Sequence, residues 1–446
     1  MPSHEPDTPP QKSRRIRLMD SSRDVGMHVL IWLVAASLIG LAAVALALSS
    51  DYANMGNLWL QKHLQWGMLI LVPLAFALFA WLTQRFFPGT QGSGIPQTIA
   101  AINDPDDAKK SNLLSIRILI GKSIMLLGGL FVGASIGREG PTVQIGASIG
   151  HFFYQRGPFK TADYRRTLVM AGGAAGIAAA FNTPLAGIMF AMEELSKDHP
   201  FTAHSSTLLT VIVSGLISLS IVGNYTYFGA TSAILPLFSH IPAISACAVV
   251  GGVMGGLFSL LAQKFGAFLP ARIRGFVQQH PFVFAGVCGL VVAIAGLMTD
   301  GLAFGTSYAP TRHILESQAS TAVWYYGFAK FLATLASTIS GIPGGLFAPT
   351  LSVGAGIGDT LSALLPGMAP HGATVILVMV AYLSGVTRSP LTSFIITMEM
   401  VAGQHFLLAL MATSLLASCV SRFISPVPLY HALAERYRYP QVTHKT

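Results

Sequence analysis

Pro141-Thr-Val-Gln-Ile-Gly-Ala-Ser-Ile-Gly150 occurs a second time, altered but in register, as Pro349-Thr-Leu-Ser-Val-Gly-Ala-Gly-Ile-Gly358. Lys122 and Lys330 precede the two copies at the same offset. Pro184-Leu185 and Met192-Glu193 recur as Pro390-Leu391 and Met398-Glu399, at an offset two residues shorter. Matches held in register over such a distance mark a duplicated chain. The sequence is read as an N-terminal arm (1–27), two repeats (28–235 and 236–430) and a short tail (431–446).

The composition says where this duplicated chain folds. Of 446 residues, 52% are hydrophobic and 10% charged, and the mean hydropathy is +0.60. A soluble globular protein carries roughly a quarter charged residues. A soluble enzyme, a secreted disulfide scaffold and a disordered chain are therefore excluded. Val25 to Ser50, His63 to Gln84, His199 to Gln263, Phe331 to Gly358, Thr360 to Thr387 and Met400 to Ser421 contain no Asp, Glu, Lys or Arg. Each interval is near or above the ~20 apolar residues of a spanning helix, so the chain is expected to be an all-α polytopic membrane protein. The first run is too long for a signal-peptide core and lacks a small-residue cleavage site, so it is expected to be retained. Cys247, Cys288 and Cys419 are isolated in apolar stretches, which leaves no disulfide framework or metal motif.

The net charge of +9 follows from basic loops rather than from a nucleic-acid partner. Lys12, Arg14, Arg15, Arg17 and Arg23 lie in the arm; Lys109, Lys110 and Arg117, then Arg156, Lys160, Arg165 and Arg166, then Lys264, Arg272 and Arg274 follow; Arg436, Arg438 and Lys445 lie in the tail. The positive-inside rule places these segments, and both termini, in the cytoplasm.

The repeated blocks are crowded with helix breakers: Gly133, Gly137, Gly140 and Pro141 in one half, Gly341, Pro343, Gly344, Gly345 and Pro349 in the other. Broken backbone inside hydrocarbon is tolerated where protein buries it or where it lines a polar cavity. Paired Gly/Pro-interrupted segments point to a transporter's midplane site. A helix beginning there presents unpaired N–H groups and a partial positive charge, and Pro141 and Pro349 suit its first turn. Several such termini converging bind an anion without a full positive charge, weakly enough for release. The later Gly146/Gly150 and Gly354/Gly358 pairs read instead as packing contacts.

Gly92-Ser-Gly-Ile-Pro96, Gly137-Arg-Glu-Gly-Pro141 and Gly345-Leu-Phe-Ala-Pro349, followed by Tyr430 in Pro428-Leu-Tyr430, resemble the CLC family of chloride channels and chloride/proton antiporters, in that family's order. The resemblance covers nearly all of 28–435 and implies the CLC-type inverted-repeat fold with tilted and interrupted helices, a homodimer with a pathway in each subunit, and no cofactor. It implies that the Ser93 and Tyr430 hydroxyls and the N–H groups of Leu346 and Phe347 coordinate chloride. Glu139 is then the protonatable external gate, and Glu194, in Phe190-Ala-Met-Glu-Glu194, is the internal proton-transfer residue. Gly92, Gly94, Pro96, Gly137, Arg138, Gly140, Pro141, Gly345 and Pro349 support the motifs. The implied function is chloride/proton antiport in the plasma (cell inner) membrane; the alternatives are a passive chloride channel and a fluoride/proton antiporter. Serine at position 93 resembles the chloride-selective members. Gln97 departs from relatives that carry glutamate there, which clouds the charge environment of that helix.

Each residue also has a plainer reading. An ionisable group at membrane depth is a functional candidate by default, but Glu139 alternatively pairs with Arg138. Glu194 is either a proton relay or, with Glu193, Lys197 and Asp198, an ordinary cytoplasmic helix end. Glu193 matches Glu399 in the second copy and reads as structural, whereas Glu194 aligns with Met400. Ser93 can cap a helix, and Tyr430 can be an interfacial aromatic, as Tyr437 and Tyr439 are read. Lys122 and Lys330 read as buried counter-charges, and Arg388 as structural. Gly133-Ala-Ser135-Ile-Gly137 and Gly146-Ala-Ser148-Ile-Gly150 match a hydrolase elbow. That elbow belongs after a strand, and Ser148 becomes Gly356 in the second copy, so no enzyme is expected. Asn224-Tyr-Thr226 fits a glycosylation acceptor.

Overall fold

The structure, a computed structural model, describes residues 14–103, 113–158, 160–197, 205–223, 226–229, 235, 240–317 and 323–438. Lys12, Lys109, Lys110, Asn224, Tyr439 and Lys445 lie outside the described residues. Among the described residues the regular elements are helices, joined at two points by isolated β-bridges. Gly26–Phe86, Ile241–Phe268, Pro281–Met298 and Gln404–Ile424 are long and apolar enough to cross a membrane. Leu30, Leu38, Ile70, Leu74, Val287 and Leu408 stand exposed on these helices, the arrangement expected where the solvent is hydrocarbon. The charge-free stretch 331–358 is not one span: helix Tyr326–Ile339 stops, and helix Phe347–Leu364 begins after a break.

Elements of one half reappear in the other. The nine-residue helix Ile95–Asn103 answers to the nine-residue helix Tyr308–Glu316, and Glu139–Arg156 answers to Phe347–Leu364. Glu139–Arg156 packs along Ala162–Phe181 just as Phe347–Leu364 packs along His371–Thr387. Gly146 and Gly150 make the first contact possible, since a Cβ on either would overlap the carbonyls of Gly172 or Leu168; Gly354 and Gly358 do the same beside Met379 and Val375. Ala162–Phe181 and His371–Thr387 are the inner helices, and residues 372 to 387 of the latter are buried on every side. A helix enclosed by protein all round needs no polar face.

Where equivalent helices meet they stabilise each other's ends. The carboxylate of Glu193 accepts the N–H groups of Leu391 (3.1 Å) and Thr392 (2.6 Å) at the start of helix Pro390–Met400. Glu399, at the end of that helix, accepts the N–H of Ala186 (2.8 Å) at the start of Pro184–Phe190. Each proline lacks an N–H, so the carboxylate serves the next donors, where negative charge also suits the helix dipole. Glu193 and Glu399 are structural, as their pairing in the sequence suggested.

Candidate functional site

Three glycine-rich turns meet at the centre of the molecule. Gly92 and Gly94 take φ values of +61° and +100° on either side of Ser93, conformations a side chain disfavours. The turn is tied to the second half by Gly92 N–H to Ile342 O (3.1 Å) and Gly344 N–H to Gly92 O (3.0 Å). Gly137 and Gly345 exchange both backbone bonds, at 2.8 and 2.7 Å. Gly140 has no room for a Cβ, which would strike the Ser93 hydroxyl and the Gly345 Cα. The three signatures, far apart in sequence, are one hydrogen-bonded junction.

Helices leave this junction. Ile95–Asn103, Glu139–Arg156 and Phe347–Leu364 carry Pro96, Pro141 and Pro349 within their first turns, where a missing N–H costs no helical bond. Leu346 immediately precedes its helix and Phe347 is the first residue of it. Helix geometry leaves the first-turn N–H groups without intrahelical acceptors. Two hydroxyls join them. Ser93 Oγ and Tyr430 Oη are buried, lie beside each other, and have no other hydrogen-bond partner among the described residues. The Tyr430 ring lies 6.0 Å from that of Phe347. Ser93 Oγ makes no capping hydrogen bond to its own helix and lies against Gly140. Tyr430, 1% exposed, is no interfacial aromatic. Buried hydroxyls beside helix starts can donate to an anion.

Glu139, fully buried, heads its helix. Its Oε1 accepts hydrogen bonds from the phenols of Tyr308 (2.5 Å) and Tyr227 (3.1 Å), while Oε2 has no partner. Its hydrogen bonds therefore come from phenols and not from the backbone amides. Arg138 reaches the Ala47 carbonyl (2.7 Å), the Asp51 carboxylate (3.1 Å) and the Tyr227 hydroxyl (3.1 Å). The arginine's carboxylate partner is Asp51, on another helix, because adjacent side chains on a helix project apart.

Glu194 lies in a π-helical turn, Ala191–Leu195, with 1% of its surface exposed. Its Oε2 accepts the hydroxyl of Ser389, and its Oε1 is 3.7 Å from His431 Nε2. It is not a solvated helix end. The two halves differ here: Ser389 precedes Pro390 as Thr183 precedes Pro184, but Thr183 Oγ1 is buried without a partner and Met400 takes the position equivalent to Glu194.

Residues 74–422 match the family model described as voltage gated chloride channel. The chain belongs to the CLC family. Its fold is similar to that of a slow cyanobacterial Cl−/H+ antiporter (TM-score 0.76, 27% identity, 92% of this chain and 99% of that one). It is also similar to a CLC-type fluoride/proton antiporter (0.75, 20%, 90% and 96%) and to a eukaryotic CLC transporter (0.73, 21%, 92% and 74%). The all-helical CLC fold and a place in a membrane follow.

Within the CLC framework the remaining residues take definite places. Gln97 directs its amide nitrogen at Gly89 O (3.2 Å), Gln91 O (2.5 Å) and Tyr437 Oη (3.1 Å). It thereby holds the strand of chain before Gly92 against the C-terminal helix, using a neutral group. Lys122 and Lys330 are not counter-charges to carboxylates. Lys122 donates to the carbonyls of Thr90 (2.8 Å) and Gly92 (2.7 Å), and Lys330 to those of Ala303 (3.0 Å) and Gly305 (2.7 Å). Both lysines clamp a turn that precedes a nine-residue helix, so Gly305-Thr306-Ser307-Tyr308 is the counterpart of Gly92-Ser93-Gly94-Ile95. That counterpart escapes a search for repeated letters because only the glycine persists. Arg388 binds the carbonyls of Ser425 (3.3 Å) and Pro426 at a helix end and is structural. Ser135 bonds Thr334 (2.9 Å) and Ser148 its own helix carbonyl at Gln144 (2.8 Å), so neither hydroxyl addresses a histidine. Tyr227 and Tyr308 touch Glu139, and Ser389 and His431 face Glu194, contacts that no motif in the sequence signalled.

Proposed function

We propose that this protein is a chloride/proton antiporter. Chloride is held by the Ser93 and Tyr430 hydroxyls with the N–H groups of Leu346 and Phe347. Glu139 is the protonatable external gate and Glu194 the internal proton-transfer residue. The supporting observation is the pair of buried carboxylates, Glu139 and Glu194, with Glu139 heading a helix that starts at the junction holding Ser93. Exchange needs a proton carrier on each side of the anion site, and a carboxylate kept out of water is costly without such a use. The deprotonated Glu139 carboxylate and chloride carry the same charge and accept from the same kinds of donor, so each excludes the other. Protonation removes that rivalry, admits chloride and carries a proton with the side chain. Glu194 then exchanges that proton with the other side. In this reading the repeats are 28–235 and 236–430, two copies associate as a homodimer, and the protein lies in the plasma (cell inner) membrane with both termini cytoplasmic.

The deciding experiment uses the purified protein in sealed vesicles. A chloride gradient is expected to drive protons uphill in the opposite direction. Chloride flux without proton movement would transfer the protein to the channel class, and fluoride preferred over chloride would change the substrate. Tyr430→Ala removes one hydroxyl ligand and the ring that backs Phe347. A hydrogen bond to a charged group is worth ~1.5–3 kcal/mol, so calorimetric chloride affinity is expected to fall about tenfold or more. Unchanged binding would remove Tyr430 from the site.

A further inference from the structure

We propose that Tyr308 and Tyr227 are positioning residues, a two-hydroxyl latch that holds the Glu139 carboxylate on one oxygen and sets how readily it takes up a proton. The inference rests on the gate reading of Glu139 and extends it.

Both phenols aim at the same atom, Oε1, from separate segments: Tyr308 is the first residue of helix Tyr308–Glu316, and Tyr227 lies in the chain that follows helix Ser205–Val222. Their hydroxyls also touch one another, and the rings cross edge to face with centroids 4.3 Å apart. Each phenol has a single hydrogen to give. Arg138 Nε donates to the Tyr227 oxygen, which leaves the Tyr227 hydrogen for the carboxylate or for Tyr308. The guanidinium carbon stands 5.4 and 5.5 Å from the two ring centres, so one cation braces both rings. Its own charge is answered by Asp51. Oε2, in contrast, is buried without a partner beside the Gly137 Cα. Both phenols thus hold the carboxylate by the same oxygen.

The grip also borders a cavity. Tyr308 lines a cavity of about 570 Å³ whose wall includes Asp51, Asn54, Asp300, Thr306 and His313. The hydroxyl that holds the carboxylate thus belongs to a residue on the wall of a mainly apolar cavity that also carries Asp51, Asp300 and His313. The titratable and charged groups around Glu139 are Tyr227, Tyr308, Arg138 with its partner Asp51, and Tyr430. Donors to a carboxylate favour its charged form. Removing one makes protonation easier, so the gate leaves the anion path at a higher pH.

The test measures chloride flux against external pH in vesicles for the wild type, Tyr308→Phe, Tyr227→Phe and Glu139→Gln. Each phenylalanine keeps the ring and removes only the hydroxyl. For Tyr308→Phe the half-maximal pH is expected to rise by about one unit, the scale set by losing one charge-assisted bond. A smaller rise in the same direction is expected for Tyr227→Phe, and no pH dependence in Glu139→Gln with or without Tyr308→Phe. If Glu139→Gln abolishes the pH dependence while both phenylalanine variants keep the wild-type midpoint, the latch is wrong and the gate stands. If Glu139→Gln itself retains the wild-type pH dependence and proton coupling, the gate reading fails first. A flux change in the phenylalanine variants with an unmoved midpoint also overturns the latch, because a purely structural role predicts it.

Discussion

Glu139→Gln is expected to abolish proton movement in vesicles while chloride flux continues. Glutamine keeps the length and planar end of glutamate, and its carbonyl oxygen can still accept the Tyr308 and Tyr227 hydroxyls now bound to Oε1. What it cannot do is gain or lose a proton, and it carries no charge with which to rival chloride. Chloride-driven proton uptake should fall below detection, at least a hundredfold, corresponding to ~2.7 kcal/mol or more of lost coupling. Chloride flux should change by far less and lose its dependence on external pH. Persistent proton pumping in this variant, read with a pH electrode after a chloride gradient is imposed, would mean that another group carries the proton.

The second large effect belongs to Glu194→Gln. Wild-type Glu194 is buried, accepts the Ser389 hydroxyl on one oxygen and stands 3.7 Å from His431 on the other. The amide can preserve the Ser389 contact and the packing, so folding and chloride binding should survive. Proton movement should drop roughly tenfold or more, equivalent to ~1.4 kcal/mol, while chloride flux persists. The contrast with Glu193 supplies an internal control. Glu193→Gln leaves the proton route intact but weakens the cap on Leu391 and Thr392, a loss of about 0.5–2 kcal/mol in stability. If Glu194→Gln behaves like Glu193→Gln, with lower thermal stability and unchanged proton coupling, the relay assignment is wrong.

The neighbouring glutamates also show how the two levels of description divide the work. The repeat alone separates them: Glu193 returns as Glu399 and Glu194 returns as Met400. The structure gives the reason for the first, since each of the two helix starts takes a cap from the other half; a proton site, as proposed for Glu194, need not be duplicated. Lys122 and Lys330 teach the opposite lesson. Their charge suggests electrostatic pairing, yet each spends its donors on two carbonyls of a turn. A buried ammonium needs acceptors, and backbone oxygens freed by a bent turn serve as well as a carboxylate.

Sequence by itself determined that this chain is a duplicated, all-helical membrane protein of CLC type, with Ser93, Glu139, Glu194, Phe347 and Tyr430 as the residues to watch. Those properties are written locally: apolar length, absence of charge, and breakers in fixed spacing each act within one segment. Only the tertiary structure decided who touches whom. It paired Arg138 with Asp51, set the Ser93 hydroxyl beside Tyr430, and delivered Tyr227 and Tyr308 to one oxygen of Glu139. Hydrogen bonds act over about 3 Å, and partners more than eighty residues apart reach that distance only when the packing of every intervening helix is fixed.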